Sequence, residues 1–237
     1  MLKKVLILGG SSDIGSLLVK KYLKKNYSVT AHFNKSKKKL NNLKCKKLFL
    51  CKVDFKKINQ NNFNNSIKSF FGNYDIIINC VGYIDHKSFT NTNLESLINS
   101  IKINSLIPSL LIKSKVKNML KKKWGRIVNC SSIGVKFGGG TETFNYSLSK
   151  HCSEFFPRDY KVWAKHNVLI NNLRIGLTDT KIHKKLRRNK KIMNKRISLI
   201  PAQRMATIDE ITNYIIELSS EKNSYMTGQT IAVSGGE

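Results

Sequence analysis

The chain has 237 residues, with 43 Lys+Arg against 14 Asp+Glu and a formal net charge of +29. That length fits one α/β domain better than two of ordinary size, and 41% hydrophobic residues supply a sizeable core. A disordered basic tail, a collagen-like chain and a proline-rich chain are thereby excluded, since only 3 residues are Pro and 14 are Gly.

The charge is mostly one residue type: 36 of the basic residues are Lys and 7 are Arg, beside 25 Asn. Lys and Asn rise together under AT-rich coding, whereas nucleic-acid readers favour the planar fork of Arg. The surplus reads as a solvated surface with no nucleic-acid partner, although a positive field still favours anionic ligands. The apolar run Val5–Leu8 is too short for a signal-peptide core, and no stretch approaches the roughly 18 residues of a membrane span. Five cysteines without CxxC spacing indicate neither a disulfide framework nor a metal site. A cytoplasmic protein with reduced thiols is expected, with Cys51, Cys80 and Cys130 as small core residues.

In chain order, strands are expected at Lys4–Leu8, Ser28–Phe33, Lys47–Val53, Asp75–Asn79, Arg126–Ser131, Val168–Arg174 and Thr230–Val233. Their near-continuous apolar character suits a parallel sheet covered on both faces. Helices are expected over Ile14–Lys25, Asn59–Phe71, Leu94–Lys123, Asn145–Lys165, Lys181–Arg196 and Ile208–Ser220, with a kink or restart at Pro157. This alternation, with right-handed crossovers, makes a doubly wound α/β fold.

Gly9-Gly10-Ser11-Ser12-Asp13-Ile14-Gly15 follows the first strand and opens the first helix. Such a turn brings backbone N–H groups to a pyrophosphate, with Gly9, Ser11, Ser12, Ile14 and Gly15 as the contacts. The second strand ends Ala31-His32-Phe33-Asn34-Lys35-Ser36, without the acid that would hold the ribose diol of NAD. Asn34, Lys35 and Ser36 suit a 2′-phosphate, so NADP(H) is preferred over NAD(H). Asp54, ending the third strand, is placed to meet the adenine amino group, and Asn79-Cys80-Val81-Gly82 ends the fourth.

Tyr146 and Lys150 are four residues apart and share a helix face, where an ammonium would lower the phenol pKa and make Tyr146 a usable acid/base. Ser131-Ser132 ends the fifth strand fourteen residues earlier, and Asn104 sits inside a helix for which an amide is a poor former.

Together with Gly176, Thr178 and Thr180, the Thr227-Gly228-Gln229 segment and Gly235-Gly236, these motifs resemble the short-chain dehydrogenase/reductase family along nearly the whole chain. The resemblance includes members acting as 3-oxoacyl-carrier-protein reductases and members associated with surface polysaccharides. It implies a Rossmann-like, doubly wound seven-stranded parallel sheet with helices on both faces, in one domain spanning 1–237. It also implies roles. Tyr146 exchanges a proton with the substrate oxygen, Ser132 rather than Ser131 orients that oxygen, Lys150 binds the nicotinamide ribose, and Asn104 anchors a water relay. Asn79, Val81, Gly82, Gly176, Thr178 and Thr180 complete the cofactor contacts.

The departures are Asp13 at the middle glycine, where it would cap the helix but add negative charge, and Ser12 where many NADP-using members carry Arg. Cys80-Val81 replaces Asn-Ala, and Ile175 replaces a proline, which should loosen the turn before Gly176.

Residues 180–200 are expected to form a substrate lid. They hold nine Lys+Arg between Lys181 and Arg196, and no acid. The expected function is hydride transfer between NADP(H) and a carbonyl or alcohol, with an anionic keto-sugar or sugar nucleotide as the leading substrate. The alternatives are a 3-oxoacyl-carrier-protein reductase and a catalytically idle dinucleotide-binding sensor or scaffold. A small-molecule substrate, a homodimer or homotetramer and no membrane partner are expected.

Overall fold

The computed structural model describes residues 2–183 and 189–237. Seven strands form one parallel sheet: β1 (Lys4–Leu8), β2 (Ser28–Phe33), β3 (Leu48–Lys52), β4 (Ile76–Asn79), β5 (Gly125–Ser132), β6 (Val168–Ile175) and β7 (Thr230–Val233). Their order is β3-β2-β1-β4-β5-β6-β7. Every strand thus lies within a residue or two of its expected place: the inner strands are short apolar runs buried on both faces, and the edge strands β3 and β7 keep the same residue types although they are largely exposed.

Alternation within each strand feeds two cores. Val5 and Ile7 face α1 (Asp13–Lys24) and the C-terminal helix, meeting Leu18, Tyr22, Ile211 and Ile215. Leu6, Ile77 and Ile127 face the opposite layer, meeting Ile107, Leu111 and Met119. That layer contains α2 (Phe63–Lys68), α3 (Leu94–Ile101), α4 (Ile107–Lys122) and α5 (Phe144–Ser153). It is followed in the chain by the short α6 (Tyr160–Ala164), then α7 (Lys190–Ser198) and α8 (Ile208–Leu218).

Two expected helices are broken. Leu94–Lys123 is interrupted by a π-helical turn, Lys102–Leu106, in which Ile103, Asn104 and Ser105 are all buried. Pro108, in the first turn of α4, has no N–H to give to the Asn104 carbonyl four residues earlier. Asn145–Lys165 ends at Ser153 and restarts as α6, because Pro157 disfavours helical backbone at Phe156 before it. The expected helix Lys181–Arg196 is described only in part: a single turn at Lys181–His183 and α7, with 184–188 outside the described residues. Among the described residues no helix is long and apolar enough to cross a membrane.

His32 ties the ends of β1, β2 and β3 together. Its Nδ1 accepts the Gly9 N–H (3.1 Å), so the proton sits on Nε2, which donates to the Val53 carbonyl (2.9 Å). The ring stacks on Phe55 at 4.4 Å between centroids. Burial lowers its pKa from 6.5 to about 4. The unfolded ring therefore binds more protons between those values, and the stability present above pH 6.5 is lost as the pH falls toward 4. The expected loss is about 3 kcal/mol. In denaturant titrations, the stability gap between wild type and His32→Asn should shrink by about that amount from pH 7 to pH 4. A gap independent of pH would mean that the ring is not held neutral.

Candidate active site

The strand order reverses between β1 and β4, and the crevice at the carboxyl ends of the strands is a cleft of about 1510 Å³. That exceeds the roughly 300–1,000 Å³ of a single small-ligand pocket, leaving room for a dinucleotide and a second molecule.

Glycine is required in the first turn by contact. A Cβ on Gly9, whose φ is +74°, would lie 2.8 Å from the Cys80 carbonyl oxygen; one on Gly15 would lie 2.3 Å from the Gly9 carbonyl oxygen. Gly9 and Gly15 thus stand behind the wall that Ser11, Ser12 and Ile14 present to the cleft. The first N–H groups of α1 have no intrahelical acceptor. Cradle and helix terminus together fit a pyrophosphate. The cap is Ser12, whose Oγ accepts the Gly15 N–H at 3.0 Å, and not Asp13 as expected. Asp13 instead pairs with Lys39 and accepts the Lys181 N–H at 2.6 Å, so its charge is compensated locally.

Asn34 and Lys35 line the cleft, with Lys38 and Lys39 beside them. Asp54 lies behind them rather than on the wall. Its Oδ1 accepts from Asn34 Nδ2 (3.2 Å) and the Lys56 N–H (3.0 Å), which steadies Asn34. Asn79 is also set back, its Oδ1 accepting the Val81 N–H at 3.2 Å, while Val81 and Gly82 reach the wall. Gly176, Thr178 and Thr180 close the far side. The Ile175 turn is not loosened. Ile175 pairs in register with Val233, and a Cβ on Gly176 would meet Ser234 Cα at 2.5 Å.

Ser132, Tyr146 and Lys150 meet at the centre of the cleft. Lys150 is buried, and its Nζ donates to the Val81 carbonyl (2.7 Å) and the Cys130 carbonyl (2.6 Å). Burial lowers its pKa. Burial likewise raises the Tyr146 phenol to about 12, and the hydrogen bond with Ser132 pulls it down. The expected lowering by Lys150 is not seen, because the ammonium lies 5.8 Å from the phenol ring centroid and is committed to two carbonyls. The Ser132 Oγ also accepts the Gly134 N–H at 3.1 Å. Asn104 is fully buried: Oδ1 accepts the Tyr83 N–H (2.8 Å), and Nδ2 donates to the Tyr83 carbonyl (2.9 Å) and Ser149 Oγ (2.8 Å). Ser149 in turn donates to the Tyr146 carbonyl at 2.7 Å, so Asn104 braces the turn that carries Tyr146.

Glu154 escaped the sequence reading. It accepts from Ser131 Oγ at 2.6 Å and receives a two-pronged Arg174 contact at 2.8 and 2.7 Å. Ser131 is thereby occupied, which leaves Ser132 for the cleft. The available signal was helical spacing: Glu154 follows Lys150 by four residues, on the face Tyr146 begins.

The architecture and this site define a dinucleotide-fold oxidoreductase of the tyrosine–lysine type. A family model described as Enoyl-(Acyl carrier protein) reductase matches residues 11–237. The 3-oxoacyl-[acyl-carrier-protein] reductase FabG of Buchnera aphidicola subsp. Schizaphis graminum is 36% identical over 163 residues, 68% of this chain and 66% of that relative. The chain thus belongs to the short-chain dehydrogenase/reductase family, oxidoreductases that act on carbonyl and alcohol groups. Two solved structures share the fold. The 4-hydroxyisoleucine dehydrogenase complexed with NADH has a TM-score of 0.88 at 22% identity, covering 99% of this chain and 98% of that one. A 3-oxoacyl (acyl-carrier-protein) reductase from Agrobacterium tumefaciens C58 with NADP bound has 0.86 at 20%, covering 99% and 94%.

Glu154→Ala strands a buried hydroxyl and a guanidinium, and should cost about 2 kcal/mol in denaturant unfolding, with Glu154→Gln costing less. Equal stability of Glu154→Ala and wild type would contradict this role.

Proposed function

We propose that this chain is an NADP(H)-dependent carbonyl reductase whose substrate class is a 3-oxoacyl thioester. The observation that carries the reading is the meeting of Ser132, Tyr146 and Lys150 beside the glycine cradle. The names of the relatives favour the thioester over the keto-sugar. The wall supports this choice, since Ile84, Phe137, Ile182, Ile192 and Leu199 suit an acyl chain. The basic segment gives the keto-sugar less support than its composition suggested. Arg196, at the cleft, is paired with Glu237, and Lys184, Lys185, Arg187 and Arg188 lie outside the described residues. Lys181 still lines the cleft and suits an anionic group on either substrate.

The bound cofactor supplies hydride from nicotinamide C4. Tyr146, a phenol and so protonated at neutral pH, gives its proton to the substrate oxygen in the reductive direction. Ser132 donates a hydrogen bond to the same oxygen. Lys150 uses two of its three N–H groups on protein carbonyls, and the third is assigned to the ribose. Asn104 holds the Tyr146 turn by its side chain. Its main-chain carbonyl, which Pro108 cannot bond, is assigned as the anchor of the proton-relay water. Lys35 is assigned to the 2′-phosphate, which favours NADP(H) over NAD(H). A cytoplasmic location and a homodimer or homotetramer belong to the same reading; the association is supported by the exposed Leu94, Ile98 and Leu106 along α3 and the turn after it.

Oxidation of NADPH and NADH is measured across 3-oxoacyl thioesters, keto-sugars and nucleotide sugars. The thioesters should turn over, with NADPH preferred. Tyr146→Phe should lower kcat at least about 100-fold while NADPH affinity stays within about threefold. An idle binder would show no turnover with any substrate and no response to this change. Lys35→Ala should raise KM for NADPH about tenfold and leave that for NADH unchanged. Equal effects on both cofactors would remove Lys35 from the phosphate site.

A further inference from the structure

Two thiols that the proposed mechanism does not use meet at the wall of the cleft. Cys80 follows β4 and Cys130 lies in β5; these strands pair in register up to Asn79 and Asn129, so the two cysteines are the next pair. Their Sγ atoms are 3.5 Å apart, and both are free. Neighbouring strands lie about 4.8 Å apart, within the Cα range of a disulfide, and bonding requires the sulfurs to close by about 1.5 Å. Both residues border the cleft, and Cys80 is only partly buried, so a small solute has an approach.

The backbone at this pair is also the seat of the site. Lys150 is held by the carbonyl of Cys130 and by that of Val81, the residue after Cys80. Gly9 packs directly on the Cys80 carbonyl. Drawing the two sulfurs together therefore pulls on the Lys150 seat and on the floor of the glycine turn.

We propose that Cys80 and Cys130 are a dithiol modification site for hydroperoxides, closing to a disulfide that disturbs the cofactor cleft. With hydrogen peroxide, one sulfur attacks a peroxide oxygen. An S–O bond forms, the O–O bond breaks, and the thiol proton leaves with the departing hydroxide as water. The second sulfur then attacks the sulfenic sulfur. An S–S bond forms, the S–O bond breaks, and the second thiol proton leaves in the second water. Two thiols lose two electrons and one peroxide gains them. The hydrogen bond with Cys130 and burial push the Cys80 thiol up, against a smaller pull from Lys150. Cys80 is therefore protonated at neutral pH, and closure should take minutes to hours rather than seconds.

The disulfide rests on the thiol geometry; its effect on NADPH rests on the proposed cofactor. Reduced wild-type protein is treated with hydrogen peroxide, its free thiols are alkylated, and its peptides are mapped without reduction. NADPH affinity is followed in parallel by fluorescence. A peptide pair joining Cys80 to Cys130 is expected, with affinity weakened at least about tenfold and restored by dithiothreitol. Cys80→Ala, and separately Cys130→Ser, should keep their affinity through the same treatment, and NADPH added beforehand should slow the cross-link. Recovery of both thiols alkylated overturns the proposal, as does an equal loss of affinity in Cys80→Ala. If the reduced protein binds no NADPH at all, the cofactor reading fails, and the peptide map alone decides on the thiol pair.

Discussion

Lys150 places a buried ammonium between the ends of two strands, and the rest of the site is arranged around that placement. Its two carbonyl acceptors come from β5 and from the residues just after β4, the central strand of the sheet and its neighbour. A buried cation is tolerated only when its donors are satisfied, so the ends of these strands must stay in register for the charge to remain there. Tyr146 lies one helical turn before Lys150 and Glu154 one turn after it. Phenol, cation and anion thus occupy one face of a single helix and its C-cap. Glu154 then reaches Ser131 and Arg174, linking that helix to the end of β5 and to the strand that leads into Gly176.

The scarce acids of this basic chain are used in the same manner. Asp13 joins the first turn to Lys39 and to the backbone of Lys181. Asp75 holds Lys122 and accepts the Lys4 N–H, joining the starts of β1 and β4 to the end of α4. Glu210 completes the capping box of α8 and grips Arg204, and Glu237 neutralises Arg196 beside the cleft. Positive charge is in surplus, so the location of each carboxylate decides which cation is fixed in place and which remains solvated. The net charge says little about this; the positions of the acids say more.

Most of the sheet and the central residues could be read from sequence because their signals are local. Apolar runs mark the strands, and the Tyr146–Lys150 spacing and the glycine turn each lie within a few residues. What was illegible depends on distant partners. His32 looks like an ordinary strand residue until Gly9 and Val53 are brought to its two nitrogens. Asn104 was located, but the π-helical turn around it is set by burial on one side and Pro108 on the other. Asp13 was expected to cap a helix because caps are local, yet Ser12 takes that place and Lys39 and Lys181 hold the acid. The bond from Asn34 to Asp54 likewise joins two strand ends that are twenty residues apart in the chain.

In the proposed function, the cation seated between the two strand ends organises the chemistry. Lys150→Met keeps the length of the side chain and removes its charge and donors. In steady-state reduction of a 3-oxoacyl thioester by NADPH, it should lower kcat/KM at least about 100-fold and raise KM for NADPH, while the circular dichroism of the fold is retained. A folded Lys150→Met protein with wild-type kcat/KM would contradict the account.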